Sequence, residues 1–462
     1  MPEIGNHERP LRVAVIGAGP AGFYATQALL KQRIVAKQID IFERLPAPFG
    51  LVRYGVAPDH PKIKKVRAVY TKVMSDERVR FYGNVNYGSD ITHEDLKAHY
   101  DQIIYTVGAQ SDRRLGIDGE DLEGSYSATE FVAWYNSHPD YRDRTFDLSH
   151  PAAVVIGMGN VAMDVARVLA KTRAELATTD MADHALDALD ASGVRDIYVI
   201  GRRGPVQSKF TPPEIKEFGE LEAAEPVVSP SDLELDPASA EALEGLKVAQ
   251  KNMRILEQFS ARQSDGKARR VHFVYCKSPV EILGDGRRVT GIKLVANELV
   301  QTDSGYINSR STDRHETVPC GLVLRSVGYR GIPLPNVPFH ERWHTIPNVA
   351  GRITDNDGNV VEGEYCAGWI KRGPSGIIGT NKACAVESVN CMLEDARQIR
   401  PCDDEKARPE AVAELLSSRG IRFITLEGWK KIDAAELRAG QQQGRPRVKF
   451  DRIDDFLSVA EG

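Results

Sequence analysis

Residues 12–24 read RVAVIGAGPAGFY. Valine, alanine and isoleucine alternate up to Ile16, as in a buried strand, and glycines then punctuate the run at Gly17, Gly19 and Gly22 before a helix-prone stretch from Ala25 to Leu30. In the pattern Gly-x-Gly-x-x-Gly the first glycine permits a sharp turn, the second lets backbone amides approach a pyrophosphate, and the third lets helix pack close to strand. The helix N-terminus then faces the anion. Glycine-rich turns are common, so the triplet alone is a weak signal. Context adds to it. The next strand, QIDIFE, ends in Glu43, 21 residues beyond Gly22, where a carboxylate can accept hydrogen bonds from both hydroxyls of a ribose. The alternative for Glu43 is a solvated strand end.

The pattern recurs at residues 153–167, AVVIGMGNVAMDVAR, where Gly157-x-Gly159-x-x-Ala162 again follows a Val-rich strand and opens a helix. Two dinucleotide sites in one chain are far more specific than either alone. The strand that follows, 196-DIYVIGRRGP-205, ends on Gly201-Arg202-Arg203 rather than on a carboxylate. A carboxylate there would repel a 2′-phosphate, whereas guanidiniums pair with it through forked, charge-assisted hydrogen bonds. The second site is therefore expected to prefer NADP(H) to NAD(H), the alternative being a solvated basic pair in a turn. Two further buried strands, 103-IIYTVGAQ-110 and 322-LVLRSVGYR-330, close on Val and Gly. Gly108 and Gly328 are read as crossover points, although either is also compatible with an ordinary turn. They divide the chain into a discontinuous FAD-binding domain, residues 1–111 and 325–462, and an inserted NADP-binding domain, residues 112–324.

Composition sets the outer limits. At 462 residues the chain exceeds one ordinary core, and 42% apolar with 27% charged residues is the balance of a soluble globular protein. Sixty basic against sixty-five acidic side chains give a net charge of -5, which argues against nucleic acid as the main partner. The six cysteines, Cys276, Cys320, Cys366, Cys384, Cys391 and Cys402, include no Cys-x-x-Cys pair. They read as free thiols of a reducing compartment, with no metal site and no iron–sulfur cluster on this chain. No run approaches the roughly 18 apolar residues of a membrane span, and MPEIGNHERP is too short and polar for a signal peptide. The expectation is a cytoplasmic protein without membrane attachment.

Two other segments draw notice. Residues 365–382, YCAGWIKRGPSGIIGTNK, place four glycines and Trp369 ahead of a helix around Ala383–Glu394. Amides and a helix dipole would there stabilise a reduced anionic flavin, and Trp369 either lies flat on a ring system or packs in the core. Residues 49–66, FGLVRYGVAPDHPKIKKV, carry two prolines and two glycines around His60 and are expected to form a loop over the flavin. A loop histidine is more often solvated or bonded to backbone than functional.

The order GAGPAG, GLVRYGVAPDHPK, VGAQSD, GMGNVAMDVAR, GRRGP followed by Glu214, and GWIKRGPSGIIGTNK resembles the adrenodoxin-reductase-like ferredoxin–NADP reductases, mycobacterial-type members above all. The likeness runs from about residue 11 to about residue 455 and includes the late run QGRPRVK. It implies an α/β fold of two Rossmann-like dinucleotide-binding domains in a glutathione-reductase-like architecture. It further implies an FAD-containing oxidoreductase that takes hydride from NADPH and passes single electrons to a ferredoxin-type iron–sulfur protein, with the reverse direction open.

By position, the resemblance points to Ala21, Glu43, Leu51, Val85, Trp369, Gly376, Ile377 and Ile378 for FAD. For NADP it points to Arg113, Met158, Gly159, Asn160, Val161, Arg202, Arg203, Glu214 and Gly376. It assigns tuning of the flavin site to His60 and Glu217. The chain departs from the family pattern in GMGN, where NGN is commoner, and in Pro212 and Pro213 ahead of Glu214, which puts the placement of Glu214 in doubt. The partner is expected to be acidic and transiently bound. A candidate basic face is Lys247, Lys251 and Arg254 on a predicted helix over 243–259, a stripe of the kind more often merely solvated.

Overall fold

A computed structural model describes residues 4–33 and 35–462. The chain divides into two compact units, one of residues 1–56, 60–111 and 328–462, the other of residues 57–59 and 112–327. Each is an α/β unit built on a largely or wholly parallel sheet, the class that the glycine motifs predict.

The first unit carries seven strands in the order Asn348–Val349, Arg352–Thr354, Val360–Cys366, Gln102–Tyr105, Leu11–Ile16, Lys37–Glu43 and Val79–Gly83. The five from Val360–Cys366 onward are parallel, and the two at the other edge run antiparallel. Val13, Val15, Ile39 and Ile41 enter one buried cluster, while Ala14, Ile16 and Phe42 enter another on the opposite face. A strand covered on both sides reads as a continuous apolar run, which is why LRVAVI contains a single charge. That charge, Arg12, is 1% exposed and donates to the fully buried Asp40 at 3.0 Å. Asp40 also accepts from Arg80 at 2.8 and 3.0 Å and from the Tyr100 hydroxyl at 2.5 Å.

The second unit repeats the plan with six parallel strands in the order Ser125–Ser127, Leu322–Arg325, Ala152–Ile156, Asp196–Ile200, Arg269–Val274 and Ala224–Val228. Ala153, Val155, Ile197 and Val199 pack under helices, whereas Ala152, Val154, Ile156 and Ile200 face Ile282, Ile292 and Leu294. The latter come from an antiparallel sheet of Lys277–Gly284, Val289–Gln301 and Ile307–Pro319 that takes the place of helices on that face.

Two local expectations are corrected. Residues 49–66 are not one loop, because Leu51–Tyr54 and Pro61–Lys64 each form a helical turn, and a helix follows at Arg67–Met74. The same glycines and proline that suggested a loop serve as helix ends: Gly50 and Gly55 flank the first turn, and Pro61 takes the first helical position of the second. The predicted helix over 243–259 is two helices, Pro237–Gly245 and Lys247–Ser260. They part after Gly245, whose backbone entropy disfavours a helix interior. Among the described residues no helix is long and apolar enough to cross a membrane, and all six cysteines are free.

Replacing Asp40 with alanine would leave Arg12 buried beside a lost carboxylate, so the variant should lose about 3–5 kcal/mol in chemical denaturation. A loss under about 1 kcal/mol would mean that the cluster adds little to the first unit.

Candidate dinucleotide sites

In each unit the glycine turn follows a strand flanked on both sides by parallel neighbours, at the point where the chain's order across the sheet reverses. The two turns are held in the same way. Gly17 N–H donates to Phe42 O and Gly157 N–H to Ile200 O, at 2.8 and 2.9 Å. On the other side Thr106 N–H donates to Ile16 O and Ser326 N–H to Ile156 O, at 2.8 and 2.7 Å. These bonds press each first glycine onto the neighbouring strand's backbone. A Cβ on Gly17 would lie 2.9 Å from Thr106 O, and one on Gly157 would lie 2.2 Å from Ser326 O. Both have positive φ, +107° and +134°.

The third position sets the helix against the turn. A Cβ on Gly22 would lie 2.1 Å from Gly17 O, whereas the second unit accepts Ala162, fully buried, at the equivalent place. The middle glycines, Gly19 and Gly159, meet nothing within 4 Å. The N–H groups of Gly19, Ala21 and Gly22 make no hydrogen bond among the described residues, and neither do those of Gly159, Asn160 and Val161. Each turn therefore presents open space lined by unpaired donors at the amino end of a helix, Pro20–Lys31 or Asn160–Ala170. That arrangement fits a pyrophosphate.

Around the first turn the unit gathers much of the predicted flavin set. Glu43 accepts from Ala18 N–H at 2.9 Å and from Leu45 N–H at 3.1 Å, one donor per carboxylate oxygen, which leaves acceptor capacity for a ribose. Burial pushes its carboxyl above the usual range, against the pull of those donors. Val85 is buried, and its N–H bonds Glu43 O at 2.9 Å. The Phe49–Leu51 stretch lies on the turn, with Phe49 N–H bonded to Ala18 O at 2.8 Å and the Cβ position of Gly50 3.0 Å from Gly19 Cα.

The second-half glycine segment reaches the same place. A Cβ on Gly368 would lie 2.6 Å from that of Ala21. Trp369 is half-buried and donates from Nε1 to Ser375 O at 3.2 Å, with its ring tilted 36° to that of Tyr329. The helix Thr380–Asp395 follows, but the N–H groups of Thr380, Asn381 and Lys382 bond back to Ile377, Ile378 and Gly379. The donors left open are those of Gly376, Ile377, Ile378 and Gly379, which bond nothing among the described residues, and Ile377 is 65% exposed. His60 belongs to this unit and precedes Pro61–Lys64.

In the second unit the Gly201–Arg203 turn is tied down by neighbouring strands. Gly201 N–H donates to Val274 O, Lys277 N–H to Gly201 O and Cys276 N–H to Arg203 O. The buried Asn297 donates from Nδ2 to Arg202 O at 2.8 Å. The two arginines then differ. Arg203 lies over Tyr306 at 5.1 Å from the ring and also bonds its hydroxyl and Ile307 O. The Arg202 side chain is exposed and pairs with nothing among the described residues, which leaves its guanidinium open to an anion. Met158 O accepts from Lys209 and Phe210 N–H, and Asn160 Oδ1 from Thr211 N–H at 2.9 Å. Val161 packs on the core, and Arg113 is exposed.

Pro212 and Pro213 occupy the first helical positions of Pro212–Lys216, where a missing N–H costs nothing. Glu214 on that turn is buried and lies 3.4 Å from Arg167, and Glu217 lies 3.2 Å from it. Arg167 is fully buried and also pairs with Asp164 at 2.7 Å and with Asp59, which Lys171 joins at 2.8 Å. Burial disfavours charge on both Arg167 and Asp59, yet their pairing prevails: Arg167 is held well above its ordinary value and Asp59 below. Arg167 closes the GMGNVAMDVAR run, but nothing in that run marked it as the centre of a carboxylate cluster, because Asp59, Glu214 and Glu217 lie far along the chain; no motif signalled Asn297.

These two turns, one ending in an acidic and one in a basic strand, define the class of flavin- and pyridine-nucleotide-dependent oxidoreductases. In agreement, residues 11–199 match the family model described as pyridine nucleotide-disulphide oxidoreductase. The chain is 43% identical over 462 residues to the NADPH-ferredoxin reductase FprA of Mycobacterium tuberculosis, covering 98% of this chain and 100% of that protein. It is 39% identical over 464 residues to the mitochondrial NADPH:adrenodoxin oxidoreductase of Arabidopsis thaliana, covering 98% and 96%. A solved structure, Mycobacterium tuberculosis FprA in complex with NADPH, matches with a TM-score of 0.92 at 42% identity, covering 98% of this chain and 100% of that one. The chain belongs to the adrenodoxin-reductase-like family of NADPH–ferredoxin reductases.

The glycines separate fold from ligand. Gly22→Ala should cost roughly 1–3 kcal/mol of stability through overpacking. Gly19→Ala should stay within about 1 kcal/mol of the parent in unfolding while weakening FAD retention, measured by free-flavin fluorescence. Equal flavin retention in the Gly19 variant would count against this turn as the pyrophosphate site.

Proposed function

We propose that this chain is an FAD-containing ferredoxin–NADP reductase that takes hydride from NADPH and delivers electrons one at a time to a ferredoxin-type iron–sulfur protein. The observation that carries the reading is the pair of open glycine turns, the first paired with Glu43 and the second with the uncommitted Arg202. The first unit takes FAD and the second NADP(H). FAD, when bound, supplies the step between two-electron and one-electron chemistry, as no side chain can.

The chain's own residues bind and orient. The open N–H groups at Gly19, Ala21 and Gly22 hold the FAD pyrophosphate, and Glu43 accepts from its ribose. The open N–H groups at Gly376–Gly379 would favour the reduced, anionic ring, and Trp369 would help to hold it. Gly159, Asn160 and Val161 would hold the NADP pyrophosphate and Arg202 the 2′-phosphate, with Arg203 braced on Tyr306 beside it, and Arg113 would add a further contact to NADP. Glu214, held by Arg167, would orient the nucleotide, while Glu217, on the same arginine, and His60 would tune the flavin site, His60 by holding or moving a proton at its imidazole nitrogens. Hydride transfer itself needs orientation and exclusion of water rather than an acid or base.

The partner is acidic and transient. Lys247, Lys251 and Arg254 are all exposed on the helix Lys247–Ser260 at spacings that share one face, and such a face steers an acidic protein despite the net negative charge of the chain. We place the enzyme in the cytoplasm, apart from membrane and nucleic acid. A disulfide reductase is the poorer reading. The cysteines are unpaired, and burial pushes the Cys276 thiol up to about 11 and those of Cys320 and Cys402 to about 12, where they are protonated and inert at neutral pH.

Mixing the yellow holoenzyme anaerobically with NADPH should bleach the flavin absorbance, and an added ferredoxin should then become reduced. Bleaching by NADH alone, or a stall after NADPH binding, would overturn the reading. Arg202→Ala should raise the KM for NADPH by about tenfold or more, the scale of one lost charged hydrogen bond, and should leave that for NADH nearly unchanged. Equal losses with both nucleotides would remove the 2′-phosphate from Arg202.

A further inference from the structure

The late run QGRPRVK and the GLVRYG stretch stand far apart in the sequence, yet one buried carboxylate joins them. Glu436, on the helix Leu426–Gln442, is fully buried. It accepts from Arg53 at 2.9 and 2.5 Å through both terminal nitrogens, from Arg447 at 2.9 Å, and from Phe450 N–H at 2.9 Å. Burial alone would raise its carboxyl, but Arg53 and Arg447 hold it below the usual range. Arg53, 1% exposed, has its guanidinium 5.2–5.6 Å from the rings of Tyr54, Trp429 and Phe456. The run is laid tightly on the helix: Val448 N–H bonds Glu436 O at 3.1 Å, and a Cβ on Gly440 would lie 2.4 Å from Arg447 Cα.

What this cluster holds is a strained piece of backbone. Phe49 has φ +91° and Gly50 φ +47°, and this bend brings Phe49 N–H to Ala18 O and Gly50 against Gly19. A non-glycine residue at such a φ persists only where its surroundings over-determine it. Here the surroundings are the rings of Phe23 and Tyr70, at 5.6 and 6.3 Å, and two further contacts from the C-terminal side: Trp429, edge-on to Phe49 at 5.6 Å, and the forked Arg53–Glu436 pair three residues beyond Gly50. Both belong to, or are gripped by, the same helix. Apolar residues would fill the volume at least as cheaply as a buried ion pair. The fork adds direction, fixing where Arg53, and with it the turn Leu51–Tyr54, comes to rest.

We propose that Glu436 is a positioning residue for the FAD site, and that the C-terminal segment from Leu426 to Phe450 clamps the Phe49–Leu51 bend against the first glycine turn through the Arg53–Glu436–Arg447 cluster. The proposal rests on the reading that the first unit holds FAD.

The test uses the full-length holoenzyme, diluted so that released FAD is read by its fluorescence, together with flavin circular dichroism in the visible range and thermal unfolding. Three variants are compared with the parent: Glu436→Gln, the apolar pair Arg53→Met with Glu436→Leu, and the control Asp101→Asn. The apolar pair leaves Arg447 its second partner, Asp433, and strands no buried charge, so it keeps the test open where Glu436→Gln fails to fold. Asp101 pairs with Arg9 and accepts from Arg12 N–H at the start of the first strand, the end away from the glycine turn. The apolar pair should unfold near the parent temperature yet bind FAD about tenfold or more weakly, the scale of losing an outer support, with an altered flavin dichroism. Asp101→Asn should unfold earlier with FAD binding and dichroism unchanged. Parent-like FAD release and dichroism in a folded apolar-pair variant would overturn the clamp, as would a loss of FAD in Asp101→Asn equal to that in the pair. A parent protein that holds no FAD at all would instead strike down the proposed function.

Discussion

Two backbone carbonyls, Thr106 O and Ser326 O, stand so close to the first glycine of each turn that a side chain there would overlap them. That approach is a consequence of parallel pairing. The strand beside each glycine-turn strand leaves its own final N–H to bond across, at Ile16 O and Ile156 O, and its carbonyl then lies over the turn. With the glycine pressed down, the chain reverses within three residues and a helix begins. The first amides of that helix then have no strand or helix partner left to take. Unpaired donors at a helix start suit a pyrophosphate, so the capacity to bind an anion follows from a steric limit in the sheet.

Around these turns the protein repeatedly spends buried charge on geometry. Asp40 gathers Arg12, Arg80 and Tyr100 between strands, Arg167 gathers four carboxylates in the second unit, and Glu436 gathers two arginines and a backbone N–H. A buried pair contributes little net stability, because desolvation offsets most of the attraction. What it adds is direction, since a guanidinium fork meets a carboxylate in few orientations. Each cluster ties segments remote in sequence, and each stands beside an element proposed to bind ligand: the Glu43 strand, the Glu214 turn and the Phe49–Leu51 bend.

The two arginines of GRRGP illustrate how far a local motif can be read. Their place after the second strand made both candidates for a 2′-phosphate, since the residue type and the strand end are local facts. Their unlike packing arises from Tyr306, in a turn of the antiparallel sheet, and Asn297, on one of its strands, about a hundred residues further on. Similarly, the glycines and prolines of residues 49–66 announced a departure from regular structure, but whether such residues make a loop or cap short helices depends on what the turn packs against. In 243–259 the apolar spacing carried through Gly245, while the helix did not.

Sequence alone determined the α/β class, the two glycine turns and the acidic and basic strand ends, because each is written in residues within some thirty positions of one another and acts through backbone sterics or charge type, and it carried the family likeness through the order of several such local motifs. Only the tertiary structure decided which donors stay open at Gly376–Gly379, which arginine is free, how Arg167 collects its carboxylates, and that QGRPRVK grips GLVRYG through Glu436. These depend on pairings between residues up to hundreds of positions apart, and a buried charge selects its partner by the geometry of the folded core, which no local pattern encodes.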